Sequence, residues 1–471
     1  MKKSAFALCT LAAAMAPVWA QSSVTIYGVL DAGVSRTTGL LGGDKTHVIS
    51  GIMDGSRLGI RVNEDIGGGW RALAVLENRL EVDTGSNSNV PPSGQQVPDR
   101  WGKREIIFGA TPVAFALPAQ IPAPVAAQLI GGATAGLNGA LQSALGTLGS
   151  GLAASAFGVN IGNARFWDRQ AFVGLVTPAG AIMAGRQYTP AYEINATFDP
   201  LNTQSSLAAG QVAAVPAVID IRQSNSVQYR IQTGGLTANF MAAAGEGSSS
   251  QGSFYGAMAQ YKSGPFAIGL GYNTKKNELG QRSLRTQTLG LSMDVGPGKL
   301  SFLYNDVSDP NPSGLSALLS GLTNALNGQI IPGLRTQINA ASNAAVPNSN
   351  LGTVLAAQIN TGALVEQYKQ AFVMDGQAMS IGYKLMTGPH TVYVAYNRFD
   401  DKTRFNADTD SYGAVYTYSL SKRTDFNVVM THFNNKGLGQ AAPGQAGFLG
   451  GFTAKAGEDS NNFAVGMRHR F

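Results

Sequence analysis

The sequence contains very little cysteine and histidine, and these shortages exclude several kinds of site. Its one cysteine, Cys9, lies close to the N-terminus, so neither a disulfide framework nor a thiol enzyme is expected. None of the four histidines is followed within four positions by another metal-binding side chain. No G-x-S-x-G motif is present, and no serine–histidine–aspartate set stands out. We therefore expect no enzymatic activity, no cofactor and no bound metal.

Charged residues and long apolar runs are also scarce. Asp, Glu, Lys and Arg make up 13% of the chain, and the mean hydropathy is close to zero. After the N-terminal segment, no charge-free stretch reaches the roughly 20 strongly apolar residues that a membrane-spanning helix needs. The net charge is +6, but no basic run accompanies it, so nucleic acid is not an expected partner.

Residues 1–20 have the pattern of a secretory signal peptide. Lys2 and Lys3 precede a short apolar run, and Val18-Trp19-Ala20 provides small residues at a cleavage site. We expect export and cleavage after Ala20; the alternative is an uncleaved anchor. An exported chain of this size is either a soluble periplasmic protein or a transmembrane β-barrel, in which alternating strands average to zero hydropathy.

Residues 21–471 contain recurring segments in which apolar and polar side chains alternate, as they do in strands that bury only one face. In the segment 169–175, Arg169, Ala171, Val173 and Leu175 are predicted to share one face. The predicted strands are 23–33, 56–63, 70–79, 165–176, 181–188, 219–231, 236–244, 254–261, 266–273, 284–294, 299–306, 377–385, 390–398, 411–419, 424–433 and 461–471.

Short turns and long loops alternate between these segments, which is typical of an outer-membrane barrel with short periplasmic turns and long extracellular loops. The sequence therefore predicts an all-β fold, a 16-stranded antiparallel transmembrane β-barrel. An even number of strands closes the sheet without an exposed edge, and a barrel of this size encloses an aqueous channel.

Two inserts interrupt the alternation. Residues 106–164 contain no charged side chain, and residues 310–365 contain only Arg335. Both are rich in Ala, Gly, Leu and Asn, and leucines recur at helical spacing at 315, 318, 319, 322 and 326. Two interpretations remain open: low-complexity loops, or short helices packed over the mouth of the barrel or against another subunit.

Three stretches, 185–190, 169–175 and 55–61 with 64–69, resemble the Gram-negative trimeric porins. The last strand ends at the aromatic Phe471, which is similar to the C-terminal assembly signal of outer-membrane barrels. The resemblance implies a homotrimer in the bacterial outer membrane, in contact with lipid and lipopolysaccharide. It also implies that the loop of about thirty residues after Tyr188 folds inward as a constriction loop.

The same resemblance implies a ladder of basic side chains opposite an acidic inward loop. A lipid-facing arginine at mid-membrane would cost about 2–4 kcal/mol, which also favours a lumenal position. The alternative is that these arginines are ordinary solvated charges of the wall. The predicted constriction residues are Arg57, Arg61, Arg169, Arg222, Glu193 and Asp199.

The resulting functional hypothesis is a general diffusion porin that passes small hydrophilic solutes and ions, with a mild preference for anions. A substrate-specific channel of the same architecture is one alternative. A barrel enzyme such as a lipase or protease, and an adhesin that binds surfaces through the inserts, are alternatives of other classes.

Overall fold

The computed structural model describes residues 23–87, 91–156, 166–201, 221–245, 252–444 and 451–471. The predicted signal peptide lies outside these residues. So do the predicted strand starts at Arg165 and Ile219, residues 157–164 of the first insert, and residues 202–220 of the loop after Tyr188.

A closed antiparallel barrel forms the body of the molecule. Its strands, with the short β2, are β1 (Ser23–Thr37), β2 (Lys45–Ser50), β3 (Arg57–Gly67), β4 (Trp70–Arg79), β5 (Gln170–Thr177), β6 (Gly180–Tyr188), β7 (Arg222–Thr233), β8 (Leu236–Ala243), β9 (Phe254–Ser263), β10 (Phe266–Lys276), β11 (Arg282–Val295), β12 (Gly298–Asp309), β13 (Met374–Thr387), β14 (His390–Asp401), β15 (Thr409–Ser419) and β16 (Thr424–Asn435). A small pair, β17 (Ala441–Ala442) and β18 (Gly451–Phe452), precedes the last strand, β19 (Ser460–Arg470).

Each strand of the wall pairs with its neighbour in sequence, and β19 pairs with β1 to close the sheet. Seventeen strands join in this sheet, but β2 pairs only with the second half of β1, so sixteen strands close the wall. The predicted 16-stranded antiparallel barrel is thereby confirmed.

Alternation along each strand separates an apolar outer face from a polar inner face. In β10, Phe266, Ile268 and Leu270 are exposed on the outside, while Gly269 and Asn273 are buried on the inside. Because the outer side chains are apolar and the inner ones are small or polar, the wall matches a lipid exterior around a polar lumen.

A buried carboxylate shapes the bend between β2 and β3. Asp31 of β1 is fully buried, and its carboxylate accepts backbone N–H groups of Ile52, Met53 and Asp54 at 2.8–3.1 Å. Ser56 donates to the Asp31 carbonyl at 3.0 Å. These bonds satisfy backbone groups that the interrupted ladder leaves without strand partners, and they fix the entry into β3.

Helices occupy the long connections at one end of the barrel, and one further helix lies inside the barrel. The helices are α1 (Asp99–Gly102), α2 (Arg104–Phe108), α3 (Ala123–Ala156), α4 (Pro190–Phe198), α5 (Ser316–Ala325), α6 (Ile331–Ala345), α7 (Leu351–Ala356) and α8 (Thr361–Gln370). A π-helical turn (Leu326–Ile330) joins α5 to α6. In the described parts of the chain, no helix is both long and apolar enough to cross a membrane.

The two inserts form helices, not the low-complexity loops of the first interpretation. The helical spacing of the leucines predicted this correctly for the second insert, since Leu322 and Leu326 are completely buried. In the first insert, α3 is 34 residues long, so its helix is not short. Helices of both inserts share one hydrophobic core, to which α3 contributes four buried leucines, Leu129, Leu137, Leu141 and Leu145.

Candidate pore constriction

The loop after Tyr188 begins with a helix that lies inside the barrel. Thr189 caps α4 by accepting the backbone N–H of Tyr192 at 3.4 Å, and Pro190 occupies the first turn, where its missing N–H costs nothing. Asp199 is the C-cap residue, and its backbone N–H donates to the Asn195 carbonyl. The sequence predicts an inward loop here but not this helix.

Glycines on the inner wall make room for α4. A β-carbon at Gly290 would lie 2.3 Å from the Phe198 ring, and one at Gly269 would lie 2.6 Å from the same ring. At Gly271 it would lie 2.8 Å from the Ala191 α-carbon. Phe198 and Ile194 are buried against this wall together with Met258 and Leu303. Only glycine at these positions lets the helix lie directly on β10 and β11.

An amide network fixes the polar side of α4. Asn195 and Asn305 of β12 exchange hydrogen bonds at 2.9 and 3.1 Å, and Thr288 of β11 donates to Asn305 at 2.7 Å. All three side chains are buried. Because each amide is engaged on both its oxygen and its nitrogen, the network sets both the position and the rotation of the helix.

Two of the predicted arginines meet at one carboxylate. Glu77 of β4 accepts Arg169 Nε at 2.7 Å and lies 3.7 Å from Arg57 Nε, and Tyr27 Oη donates to it at 3.0 Å. Arg57 also pairs with Asp54 at 2.7 Å. Arg169 is 1% exposed and Glu77 is 4% exposed, so this cluster is largely desolvated.

The predicted face for Arg169 is wrong. Val173, which was expected to share its face, is 62% exposed on the outer surface, whereas the Arg169 side chain is buried beside Glu77. Strand β5 begins only at Gln170, so the alternation does not extend back to Arg169. Its lumenal position was nevertheless predicted.

Tyrosines connect Arg222 to this cluster. Tyr188 Oη accepts Arg169 Nη2 at 3.0 Å and Arg222 Nη2 at 3.4 Å, and the Arg222 guanidinium lies 4.9 Å from the centre of the Tyr188 ring. The ring of Tyr192 on α4 stacks on Tyr188 at 5.1 Å. The structure therefore brings together Arg57, Arg169 and Arg222 next to the start of α4.

Arg61 lies farther along β3 than these three. Its guanidinium lies 5.0 Å from the centre of the Tyr27 ring, and the side chain is exposed. It shares the inner face of the strand with Arg57, as the alternation predicted.

The predicted acidic residue Glu193 pairs with an arginine outside these four. Glu193 pairs with Arg230 of β7 at 2.7 Å and accepts Gln228 at 3.4 Å. Asp199 accepts the backbone N–H of Leu201 at 3.0 Å, close to the end of α4. Glu193 is thus held by the β7 wall, and an opposition across the lumen stays a prediction.

Sequence reasoning missed Glu77, Arg230 and Tyr188 as members of the site. Glu77 was discoverable, because it lies on the inner face of a predicted strand paired with the strand of Arg57. Arg230 was also discoverable, because it lies on the inner face of a predicted strand. Its pairing with Glu193, however, depends on the rotation of α4. Among the described residues, no group of His, Cys, Asp and Glu side chains has a metal-binding arrangement.

Comparisons with known proteins identify the family of the chain. The profile of the family described as "Gram-negative porin" matches residues 5–438. Outer membrane porin protein 32 of Delftia acidovorans is 43% identical over 90 residues, which are 19% of this chain and 25% of that protein. Major outer membrane protein P.IB of Neisseria meningitidis serogroup B is 38% identical over 114 residues, which are 23% of this chain and 30% of that protein. The alignments thus span less than a third of these curated relatives.

Solved structures have the same fold. An anion-selective porin from Comamonas acidovorans superimposes with a TM-score of 0.58 at 18% identity, covering 96% of this chain and all of that one. A loop L8 deletion form of OmpT, an outer membrane protein of Vibrio cholerae, gives a TM-score of 0.50 at 11% identity over 96% and 99% of the two chains. The family match covers most of the sequence, and the chain has the same barrel fold as these solved structures. This chain therefore belongs to the Gram-negative porin family.

Proposed function

We propose that the protein is a passive diffusion channel of the outer membrane for small hydrophilic solutes and ions. The observation that carries this proposal is a closed sixteen-stranded barrel with a polar inner face, narrowed by α4 beside a cluster of ionised arginines. Family membership and the curated relatives, which are named outer membrane porins, support the outer-membrane location.

A mild anion preference is part of the proposal, with Arg57, Arg61, Arg169 and Arg222 at the constriction. Among the described residues toward the short turns, basic side chains outnumber acidic ones: the acidic residues are Asp65, Asp294 and Asp425 on the inner face of the wall and Glu193 on α4. The basic residues there are Arg61, Arg71, Arg230, Lys262, Lys299, Lys384, Arg468 and Arg470.

The preference is mild because the charges are screened. A unit charge pair at 4 Å is worth about 1 kcal/mol in water, and the Debye length at physiological salt is about 8 Å. The anion-selective porin from Comamonas acidovorans, which has a similar fold, supports the sign of this preference.

We further infer that residues 1–20 are removed as a signal peptide and that residues 21–471 assemble as a homotrimer surrounded by lipid and lipopolysaccharide. One of the structural neighbours, a form of OmpT of Vibrio cholerae, is described as a trimer form. Small-residue positions on the outer face, such as Ala72, Ala74 and Ala171, would let neighbouring barrels approach closely.

The experiment is single-channel recording of the purified protein in a planar bilayer. We expect stepwise, ohmic conductance that persists without any added substrate. Saturating conductance that a single solute blocks would instead support a substrate-specific channel. Absence of conductance from correctly folded protein would contradict the proposal.

A further inference from the structure

The two inserts begin on opposite sides of the barrel. The first leaves the wall after β4 and returns at β5, and the second leaves after β12 and returns at β13. In the closed strand order, β4 and β12 are separated by half of the circumference. Any contact between the inserts must therefore extend over the mouth at the end with the long loops.

The inserts are in close contact through a common core. Leu137, Leu141 and Leu145 of α3 are completely buried in the same cluster as Leu322 and Leu326 of the second insert. The helices approach each other at glycines: a β-carbon at Gly136 would lie 2.9 Å from Leu334, and one at Gly321 would lie 2.8 Å from Leu148. The inserts thus form one folded unit, here called the helical bridge, which consists of residues 99–156 and 316–372.

The dimensions fit a bridge across the opening. Sixteen tilted strands with a spacing of about 4.8 Å give a barrel roughly 32 Å across. The 34 residues of α3 form a helix about 51 Å long. A single helix is therefore long enough to reach from one side of the mouth to the other.

A latch fixes the first insert to the far rim. Arg100 of α1 donates to the carbonyls of Ala371 and Val373 at 3.0 and 2.8 Å and pairs with Asp401 at the end of β14 at 3.3 Å. Trp101 donates to the same Ala371 carbonyl at 3.0 Å and stacks on Phe372 with ring centres 5.1 Å apart. These contacts attach α1, which lies in the connection after β4, to the β13–β14 side of the wall.

The long helices of the bridge carry almost no charge, because residues 106–156 contain no Asp, Glu, Lys or Arg and residues 316–365 contain only Arg335. The other charged residues of the bridge lie at its two ends: Asp99, Arg100, Lys103, Arg104, Glu105, Glu366 and Lys369. Most of them have an oppositely charged partner, since Asp99 pairs with Lys103, Arg100 with Asp401 and Glu366 with Lys369. The ion pairs Arg169–Glu77, Arg230–Glu193 and Arg468–Asp425 belong to other parts of the chain than these helices. A solute passing the long helices of the bridge therefore meets a steric obstacle with little charge.

We propose that the helical bridge is a size filter at the mouth of the channel: it limits the dimensions of entering solutes and leaves the choice between anions and cations to the lumen. This inference requires a conducting channel, but it does not depend on the sign of the ion preference. It assigns a transport role to inserts that the pattern of spanning strands does not use.

The test compares permeation of solutes of different size through full-length variants in proteoliposomes. In R100A/W101A the latch is removed, and in a second variant residues 110–156 are replaced by a short Gly/Ser linker. We expect the swelling rate with raffinose relative to arabinose to rise at least threefold in the linker variant and to rise in the latch variant as well. The matched control is K103A, which removes a partly exposed side chain of the same region that pairs with Asp99 and lies outside the latch, and it should leave the ratio unchanged.

Ion selectivity is measured on the same proteins, because the proposal separates size from charge. The zero-current potential in a salt gradient should be the same in the wild type and in the linker variant. An unchanged raffinose-to-arabinose ratio in the folded linker variant would overturn the proposal, as would loss of its heat-resistant barrel form. A clear shift of the zero-current potential would overturn the separation of size from charge. Wild-type protein that does not conduct would instead contradict the channel function itself.

Discussion

Arg169 and Glu77 form a nearly solvent-free ion pair in the wall of the lumen, with 2.7 Å between Nε and Oε1. Glu77 also lies 3.7 Å from Arg57, so one carboxylate balances two guanidinium groups, one from β3 and one from the residue just before β5. A buried charge without its partner is strongly unfavourable. Removing one member of the pair should therefore change both the free energy of unfolding and the charge of the lumen wall.

Replacing Glu77 by Gln should increase the anion preference, because Arg57 and Arg169 remain while their shared carboxylate is lost. Breaking a buried pair typically costs about 3–5 kcal/mol, so the free energy of unfolding should fall by about that amount. The measurements are the zero-current potential and urea unfolding in lipid. E64Q, which removes an exposed carboxylate at the turn end of β3, is the control. A variant that behaves like E64Q in both assays would show that Glu77 balances neither arginine.

Replacing Arg222 and replacing Arg169 should shift the ion selectivity in the same direction. The two replacements should lower the free energy of unfolding by different amounts. In the described part of the chain, no carboxylate lies within 4 Å of Arg222, which contacts Tyr188 instead. R222Q and R169Q should both move the zero-current potential toward cations. Only R169Q should lower the free energy of unfolding by several kcal/mol, because it leaves Glu77 without its closest partner; R222Q should cost about 1 kcal/mol. Equal losses of stability would contradict this distinction.

The glycine contacts of α4 predict a steric effect on conductance. G290V places a side chain where the Phe198 ring lies and should push the helix into the lumen, with lower conductance and a stability loss of about 1–3 kcal/mol. G290V/F198A removes the clash and should restore much of the conductance. Single-channel recording decides the matter: if the double variant conducts no better than G290V, the helix does not narrow the path.

Asp31 should act through the position of the β2–β3 bend. In D31N the side chain has only one acceptor oxygen for three backbone N–H groups, so the free energy of unfolding should fall by about 1–3 kcal/mol. Because Asp54 lies in this bend and Arg57 directly follows it, the zero-current potential should also change. Urea unfolding and bilayer recording would check both effects, and S50A, which loses a hydroxyl beside Asp31, is a milder comparison. Wild-type behaviour of D31N in both assays would mean that the carboxylate does not hold the bend.

Alternation along the strands, together with the succession of short turns and long loops, predicted the barrel, because each wall strand has a lipid face and a lumen face that the pattern of side chains records directly. It also placed Arg57 and Arg61 on the inner face. It failed at Arg169, because this residue precedes β5 and no strand geometry controls its side chain. Only the face predicted for Arg169 was wrong, and the observed position of its side chain follows from the ion pair with Glu77.

The inner helix and the bridge were harder to predict, because their positions depend on contacts between distant parts of the chain. Gly269, Gly271 and Gly290 look like ordinary small residues in strands until α4 is placed against them. The partner of Glu193 is Arg230 on β7, a pairing that depends on the rotation of α4. The leucine spacing indicated helices, but the common core of the two inserts appears only when the strand order is closed.

The most direct test of the proposed function is the zero-current potential across a bilayer that separates two salt concentrations. The wild type should show a modest anion preference that largely disappears at about 1 M salt, where screening acts within about 3 Å. Replacing Arg57, Arg169 and Arg222 together by Gln should move the potential toward cations. A strongly cation-selective wild type, or a triple variant with an unchanged potential, would contradict the account that these arginines line the constriction.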